Sequence, residues 1–166
     1  MIAVVIGGSG SGKSAFAEKL AAADTAAHHI YLATMQRGED EESRRRIARH
    51  QAMRAERGFQ TVERTMNLDA LELPSGACVL LEDLPNLVAN EMFSGGCPET
   101  LPEALERLCS RCASLIVVTG NVFADGAVYD EGTQAWLRCL TECAARLSAR
   151  ADLVIEVVCG IPIRQK

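Results

Sequence analysis

An apolar, β-branched run, Met1 to Ile6, feeds without a break into Gly7-Gly8-Ser9-Gly10-Ser11-Gly12-Lys13-Ser14, and no other stretch constrains the chain as tightly. The pattern G-x-x-x-x-G-K-S, between a strand and a helix, is that of a phosphate-binding loop. Its glycines let the backbone reach positive φ and turn successive N–H groups inward as an anion nest. Gly7, Gly8, Ser9, Gly10, Ser11 and Gly12 are therefore expected nucleotide-binding positions. The positive end of the following helix adds to the cradle for the β- and γ-phosphates. Lys13 is expected to set a point charge on those phosphates and to act in catalysis, while the Ser14 hydroxyl is placed to ligate Mg²⁺. The chain is expected to bind a nucleoside triphosphate.

The 166 residues suit one domain, 1–166, with a sizeable core, since 48% of them are apolar. A net charge of −5 argues against a nucleic-acid-binding surface. The apolar runs fall well short of the ~20 residues that span a bilayer. Met1–Ile6 lacks the basic leader of a signal peptide, so a cytoplasmic protein is expected. Seven cysteines, an odd count scattered through apparent strands and helices, read as reduced core thiols. Cys109 and Cys112 form a CxxC without a second pair at zinc spacing, and packing is their expected role.

Further along, Ala15 to Ala23 is a strong helix former, and His28 to Thr34 reads as a buried strand with His28 and His29 as exposed turn residues at its entrance. Residues Glu39 to Arg57 form a highly charged helical stretch, acidic first and basic last, in keeping with the helix dipole. His50 lies within it; on residue pattern alone it is a solvated bystander. Gln60 to Arg64 is a short strand, and Cys78 to Leu81 an apolar one ending at Glu82-Asp83, where a phosphate-loop enzyme places the carboxylate that serves the metal. Glu82 is favoured over Asp83, which would point to the other side of a regular strand. Leu84 to Phe93, Glu99 to Ala113 and Thr133 to Arg150 are expected helices. Leu115 to Thr119, Leu153 to Val158 and a short piece near Ile161 are expected strands. Alternation of strands and helices defines an α/β P-loop NTPase (RecA-like) domain, its mostly parallel sheet covered by helices on both faces.

In order and spacing the chain resembles the adenosylcobinamide kinase / adenosylcobinamide-phosphate guanylyltransferase family of cobalamin biosynthesis. The family's GGxxSGKS corresponds to Gly7–Ser14, and its Y-I-A-T to Tyr31-Leu32-Ala33-Thr34. Its R-I-x-x-H-x-x-x-R corresponds to Arg46-Ile47-Ala48-Arg49-His50 and Arg54, and its T-x-E to Thr61-Val62-Glu63. A strand ending at Glu82, Asn90 eight residues later, Ala151-Asp152 and Gly160-Ile161-Pro162 complete a match that runs nearly end to end. The resemblance implies a bifunctional enzyme using GTP and ATP with Mg²⁺ at Ser14 and Glu82. One half-reaction phosphorylates the corrinoid adenosylcobinamide. In the other, His50 is the nucleophile that accepts GMP as a phosphoramidate. Thr34, Arg54 and Glu63 are implied nucleotide contacts, and a homo-oligomer is implied in which neighbouring subunits complete the corrinoid site.

The chain departs from the family's pattern toward the second substrate. Asn-Glu-Val-Gly becomes Asn121-Val122-Phe123-Ala124, leaving Asp125 as the acid able to replace the glutamate, and Arg138 is followed by Cys139, Glu142 and Ala145 in place of Asp, Gly and Asn. Two other readings stay open on sequence: a P-loop small-molecule kinase with another acceptor, and a nucleotide-binding regulatory module that uses residues 39–57 as its switch.

Overall fold

The computed structural model describes residues 1–36, 57–122 and 128–166. The charged helical stretch, apart from Arg57, lies outside these residues, and so do His50, Arg54 and Asp125.

Seven strands make one sheet: β1 (Ile2–Gly7), β2 (His29–Ala33), β3 (Phe59–Glu63), β4 (Cys78–Glu82), β5 (Ser114–Gly120), β6 (Leu153–Val158) and β7 (Ile161–Arg164). Their spatial order is β3-β2-β4-β5-β1-β6-β7. All neighbours run parallel except β7, which returns antiparallel to β6. β1, which carries the glycine loop, is thus central, flanked by β5 and β6. Both its faces are covered, and its near-continuous apolar sequence follows from that.

Helix α1 (Lys13–Ala22) covers one face; α2 (Leu84–Phe93), α3 (Leu101–Arg111) and α4 (Glu131–Arg150) cover the other. The period-2 alternation of side chains sorts the core accordingly. Ala3, Val5, Tyr31, Leu80, Ile116, Val118 and Val157 pack with Ala17 and Ala21 of α1. Val4, Ile30, Leu32, Val79, Leu81 and Val117 pack with Leu87, Leu105, Leu108 and Leu140 of the three-helix layer.

Local chemistry sets the helix boundaries. The Asp83 carboxylate accepts from Asn86 N at 2.9 Å and caps α2, whose first turn accommodates Pro85 because a proline there sacrifices no helical hydrogen bond. Asp130 caps α4 through Thr133 N at 3.0 Å, which moves that helix's start two residues ahead of the expected one. Hydrogen bonds from the Thr133 amide and hydroxyl hold the Asp130 carboxyl below its usual range. The expected helix from Glu99 begins instead as a 3₁₀ turn, Pro98–Thr100, that feeds α3 with Pro102 in its first turn. A second short 3₁₀ turn, Leu68–Ala70, seats Leu68 and Leu71 in the core.

Two expectations are corrected. All seven cysteines are free thiols, but Cys97 and Cys159 are exposed, because both sit at turns rather than within elements. Cys109 and Cys112 do pack against the helical layer, and burial pushes the Cys112 thiol up to about 11. His29 is not an exposed turn residue: it opens β2, half-buried, edge-on to Phe59. No helix among the described residues is long and apolar enough to cross a membrane.

Candidate functional site

In a parallel sheet the carboxyl ends of the strands share one edge, and loops there form the ligand crevice. Gly7, Thr34, Glu63, Glu82 and Gly120 all lie at that edge. Register places Gly7 beside Gly120 and sets both Glu63 and Glu82 level with Ala33. Glu63, Glu82 and Ala33 therefore project to the face that carries α1, the helix the glycine loop opens.

The loop is held in a nest by few contacts. Gly10 and Gly12 take φ of 70° and 90°, and Ser11 N donates to Gly8 O at 3.2 Å. Phe16 N donates to Gly12 O at 3.0 Å, so Lys13 and Ser14 fall in the first turn of α1 with free amides at its positive end. Lys13 Nζ donates to Gly8 O at 3.2 Å, folded over the loop it serves. Ser11 Oγ is buried against Gly7, where a Cβ would collide with it, and has no hydrogen-bond partner.

The β6–β7 turn braces the loop from the far end of the chain. Cys159 and Gly160 form a two-residue hairpin turn with φ of 50° and 80°, the geometry that matches strand twist. Gly160 N donates to Ser11 O at 2.8 Å, and the Gly160 backbone packs on Gly12. Sequence reasoning reached Gly160 through its turn pattern and the family match, but the contact itself carries no sequence signal. A Cβ on Gly12 would lie 3.4 Å from Gly160 Cα and would have to be carried at positive φ. Gly12→Ala is therefore expected to cost about 1–2 kcal/mol in backbone strain alone, and to weaken nucleotide binding further by tilting the nest. Urea unfolding beside nucleotide titration checks both effects.

At the neighbouring strand ends, Thr34 is fully buried. Its hydroxyl accepts from Asp83 N at 2.7 Å and donates to Asp83 O at 2.8 Å. Asn90, on α2, donates to Thr34 O at 2.7 Å and to Thr65 O at 3.2 Å, joining the ends of β2, β3 and β4. This clamp fixes the backbone on which Glu82 stands. Asp83, spent on the α2 cap, is the less suited of the two carboxylates to serve a metal. Glu82 is half-buried and Glu63 exposed. Beside them, Asn121 N donates to Gly7 O at 3.2 Å, and Thr119 Oγ1 on β5 is buried without a partner.

The structure thus brings together residues 7–14, Thr34, Glu63 and Glu82 at one edge. His50 and Arg54 lie outside the described residues.

A glycine nest at the carboxyl edge of a parallel sheet, opening a helix and overlooked by a carboxylate two strands away, defines a P-loop nucleotide-binding protein. A solved structure described as a prototypical ATPase from the type III secretion system of pathogenic bacteria shares the fold, at a TM-score of 0.51 and 12% identity. The match covers 93% of this chain, which spans about half (50%) of that one. The chain belongs to the cobinamide kinase / cobinamide phosphate guanyltransferase family, whose model matches residues 3–165. It is 31% identical to the bifunctional adenosylcobalamin biosynthesis protein CobU of Escherichia coli K12 and 32% identical to that of Salmonella typhimurium LT2, over the whole of each chain. It is 31% identical to CobP of Pseudomonas aeruginosa, over 98% of this chain and 96% of that one.

Proposed function

We propose that this enzyme performs both transfers of its family, phosphorylating the aminopropanol hydroxyl of adenosylcobinamide and then guanylylating the product. The observation that carries this reading is the nest at Gly7–Ser14, with Lys13 folded over it and Glu82 held on the same face of the sheet.

In the kinase half, the loop amides and Lys13 bind the triphosphate and orient its γ-phosphoryl group toward the acceptor hydroxyl. That hydroxyl loses its proton as the new P–O bond forms and the nucleoside diphosphate departs. Positioning and charge neutralisation supply most of the catalysis in such transfers. The Ser14 hydroxyl and the Glu82 carboxylate are the hard oxygen donors that Mg²⁺ prefers. These residues would hold the ion, whose chemistry there is to neutralise phosphate charge.

In the guanylyl half, the neutral His50 imidazole attacks the α-phosphorus of GTP. The P–N bond forms as pyrophosphate leaves with the electron pair of the broken P–O bond. A phosphate oxygen of the phosphorylated corrinoid then displaces the imidazole and takes GMP. Arg54, four residues on, offsets phosphate charge by paired N–H donation, and Glu63 contacts the nucleotide from the end of β3. Thr34 acts through the backbone it clamps. The enzyme works in the cytoplasm as a homo-oligomer, neighbouring subunits completing the corrinoid pocket.

The test is incubation with Mg²⁺ and GTP labelled at the α-phosphate, followed by denaturing electrophoresis. The wild type is expected to show an acid-labile, alkali-stable band that His50→Ala abolishes. An unlabelled wild type that still binds GTP overturns the nucleophile assignment and leaves a kinase with one activity.

A further inference from the structure

The opposite edge of the sheet holds a second cluster, remote from the nucleotide. His29, Cys78 and Ser114 begin β2, β4 and β5 and lie side by side in register. Alternation puts all three on the α1 face, since Tyr31, Leu80 and Ile116, two residues further along, pack there. Asp24, just beyond the end of α1, hangs over this row. The ligand atoms of Asp24, His29 and Cys78 lie within 4.8 Å of one another.

We propose that Asp24, His29 and Cys78 form a binding site for a divalent transition cation, zinc being the best match. An ion at the centre of a triangle of that side is at most about 2.8 Å from each donor, against zinc bonds of ~2.0–2.3 Å. Contraction by at most about 0.5 Å for sulfur and about 0.8 Å for the nitrogen and oxygen donors, within the reach of small side-chain rotations, completes the bonds. Sulfur, imidazole nitrogen and carboxylate oxygen are together a zinc set with the fourth position open to water. The same mixture selects against magnesium and calcium, which take oxygen donors.

Charge favours the assignment. A thiolate and a carboxylate neutralise a divalent ion, so no net charge is buried when it binds. The proton displaced from the Cys78 thiol passes to solvent. Asp24 and His29 are both half-buried and give access from the surface, while Cys78 is fully enclosed.

The donors already have an outer shell, which orients ligands in metal sites. Ala26 N donates to Asp24 Oδ1 at 2.9 Å. The Ser114 side chain hydrogen-bonds the Asp24 carboxylate. The His29 ring is fixed by Nε2 at 3.2 Å from Asp24 O and by Phe59 at its edge. The Met1 ammonium donates to Ala113 O at 2.9 Å and lies close enough to favour the charged forms of Asp24 and Cys78. A bound ion would tie the end of α1 to the starts of β2 and β4, bracing the helix that carries the phosphate loop at its other end.

The probe is Co²⁺, one equivalent added to chelator-treated full chain in which the exposed Cys97 and Cys159 are changed to serine. A thiolate-to-cobalt charge-transfer band is expected, displaced by Zn²⁺, lost in Cys78→Ala, and with affinity reduced at least about tenfold in His29→Ala and Asp24→Asn. Zn²⁺ is also expected to raise the Tm of the parent protein and not of the variants. Absence of the band, or a band that survives Cys78→Ala, overturns the site. If Cys78→Ala fails to fold, unchanged affinity in both His29→Ala and Asp24→Asn overturns it as well. None of these readouts depends on the nucleotide chemistry.

Discussion

Lys13→Ala is expected to lower kcat/KM for γ-phosphoryl transfer by about 10²–10³-fold, the cost of losing one preorganised donor to developing phosphate charge. Stability should barely change. Lys13 Nζ donates to Gly8 O in an exposed setting, and the residue opens α1 without capping it. Surface changes of this kind stay within about 0.5 kcal/mol. Transfer of label from γ-labelled nucleotide, measured beside the melting temperature, separates the two effects. Guanylylation should fall as well, because both half-reactions draw on a triphosphate seated in the same nest. His50→Ala, by contrast, should remove only the labelled intermediate and the second transfer. A Lys13→Ala enzyme with full kcat/KM would show that the lysine does not touch the phosphates.

Thr34→Val has the opposite profile. The two side chains have similar shapes, so the core on either side stays filled. The lost hydroxyl, however, leaves both Asp83 N and Asp83 O without the partner that the wild type supplies at 2.7 and 2.8 Å. An unsatisfied buried polar group costs about 1–3 kcal/mol, so a loss of about 2–4 kcal/mol is expected. For a chain of this size that is a fall in Tm on the order of 10 °C. Thr34→Ser keeps the hydroxyl and should recover most of the loss, less about 0.8 kcal/mol for the missing methyl group. Equal melting of the valine and serine variants would show that the hydroxyl contributes nothing. Transfer activity in Thr34→Val, measured well below its Tm, reports how far the clamp governs the position of Glu82.

The contrast between these two residues also marks what the sequence could reveal. The glycine loop was legible because each residue type answers a local demand: positive φ at Gly10 and Gly12, a charge at Lys13, a hydroxyl at Ser14. The central strands were legible because apolar β-branched runs have few other uses in a chain this short. Glu82 was separable from Asp83 by strand alternation, and the face that carries α1 is where alternation places it. Thr34 was not readable in the same way. Its bonds join residues 49 apart in sequence, and no local pattern encodes them. His29 was misread for a related reason: its burial comes from Phe59 and Asp24, one on a strand that pairs with β2 and one on the preceding turn. The start of α4 lies two residues ahead of the expected one because Asp130 caps the helix through Thr133 N. His50 shows the limit of periodicity: a charged helical pattern gives no reason to single it out, and only the order of motifs along the whole chain did so.

The bracing of Ser11 O by Gly160 N has a consequence for the order of folding. The loop follows β1, which among the described strands pairs with β5 and β6, and a further support comes from the turn after β6. Pairing of β1 with β5 leaves the nest without the Gly160 contact, which forms only when the β6–β7 turn is in place. That contact spans most of the described sequence, and the loop-closure cost of such a separation has to be met before the contact forms. A chain cut before residue 160 keeps the loop's sequence but loses the backbone donor that braces Ser11 O.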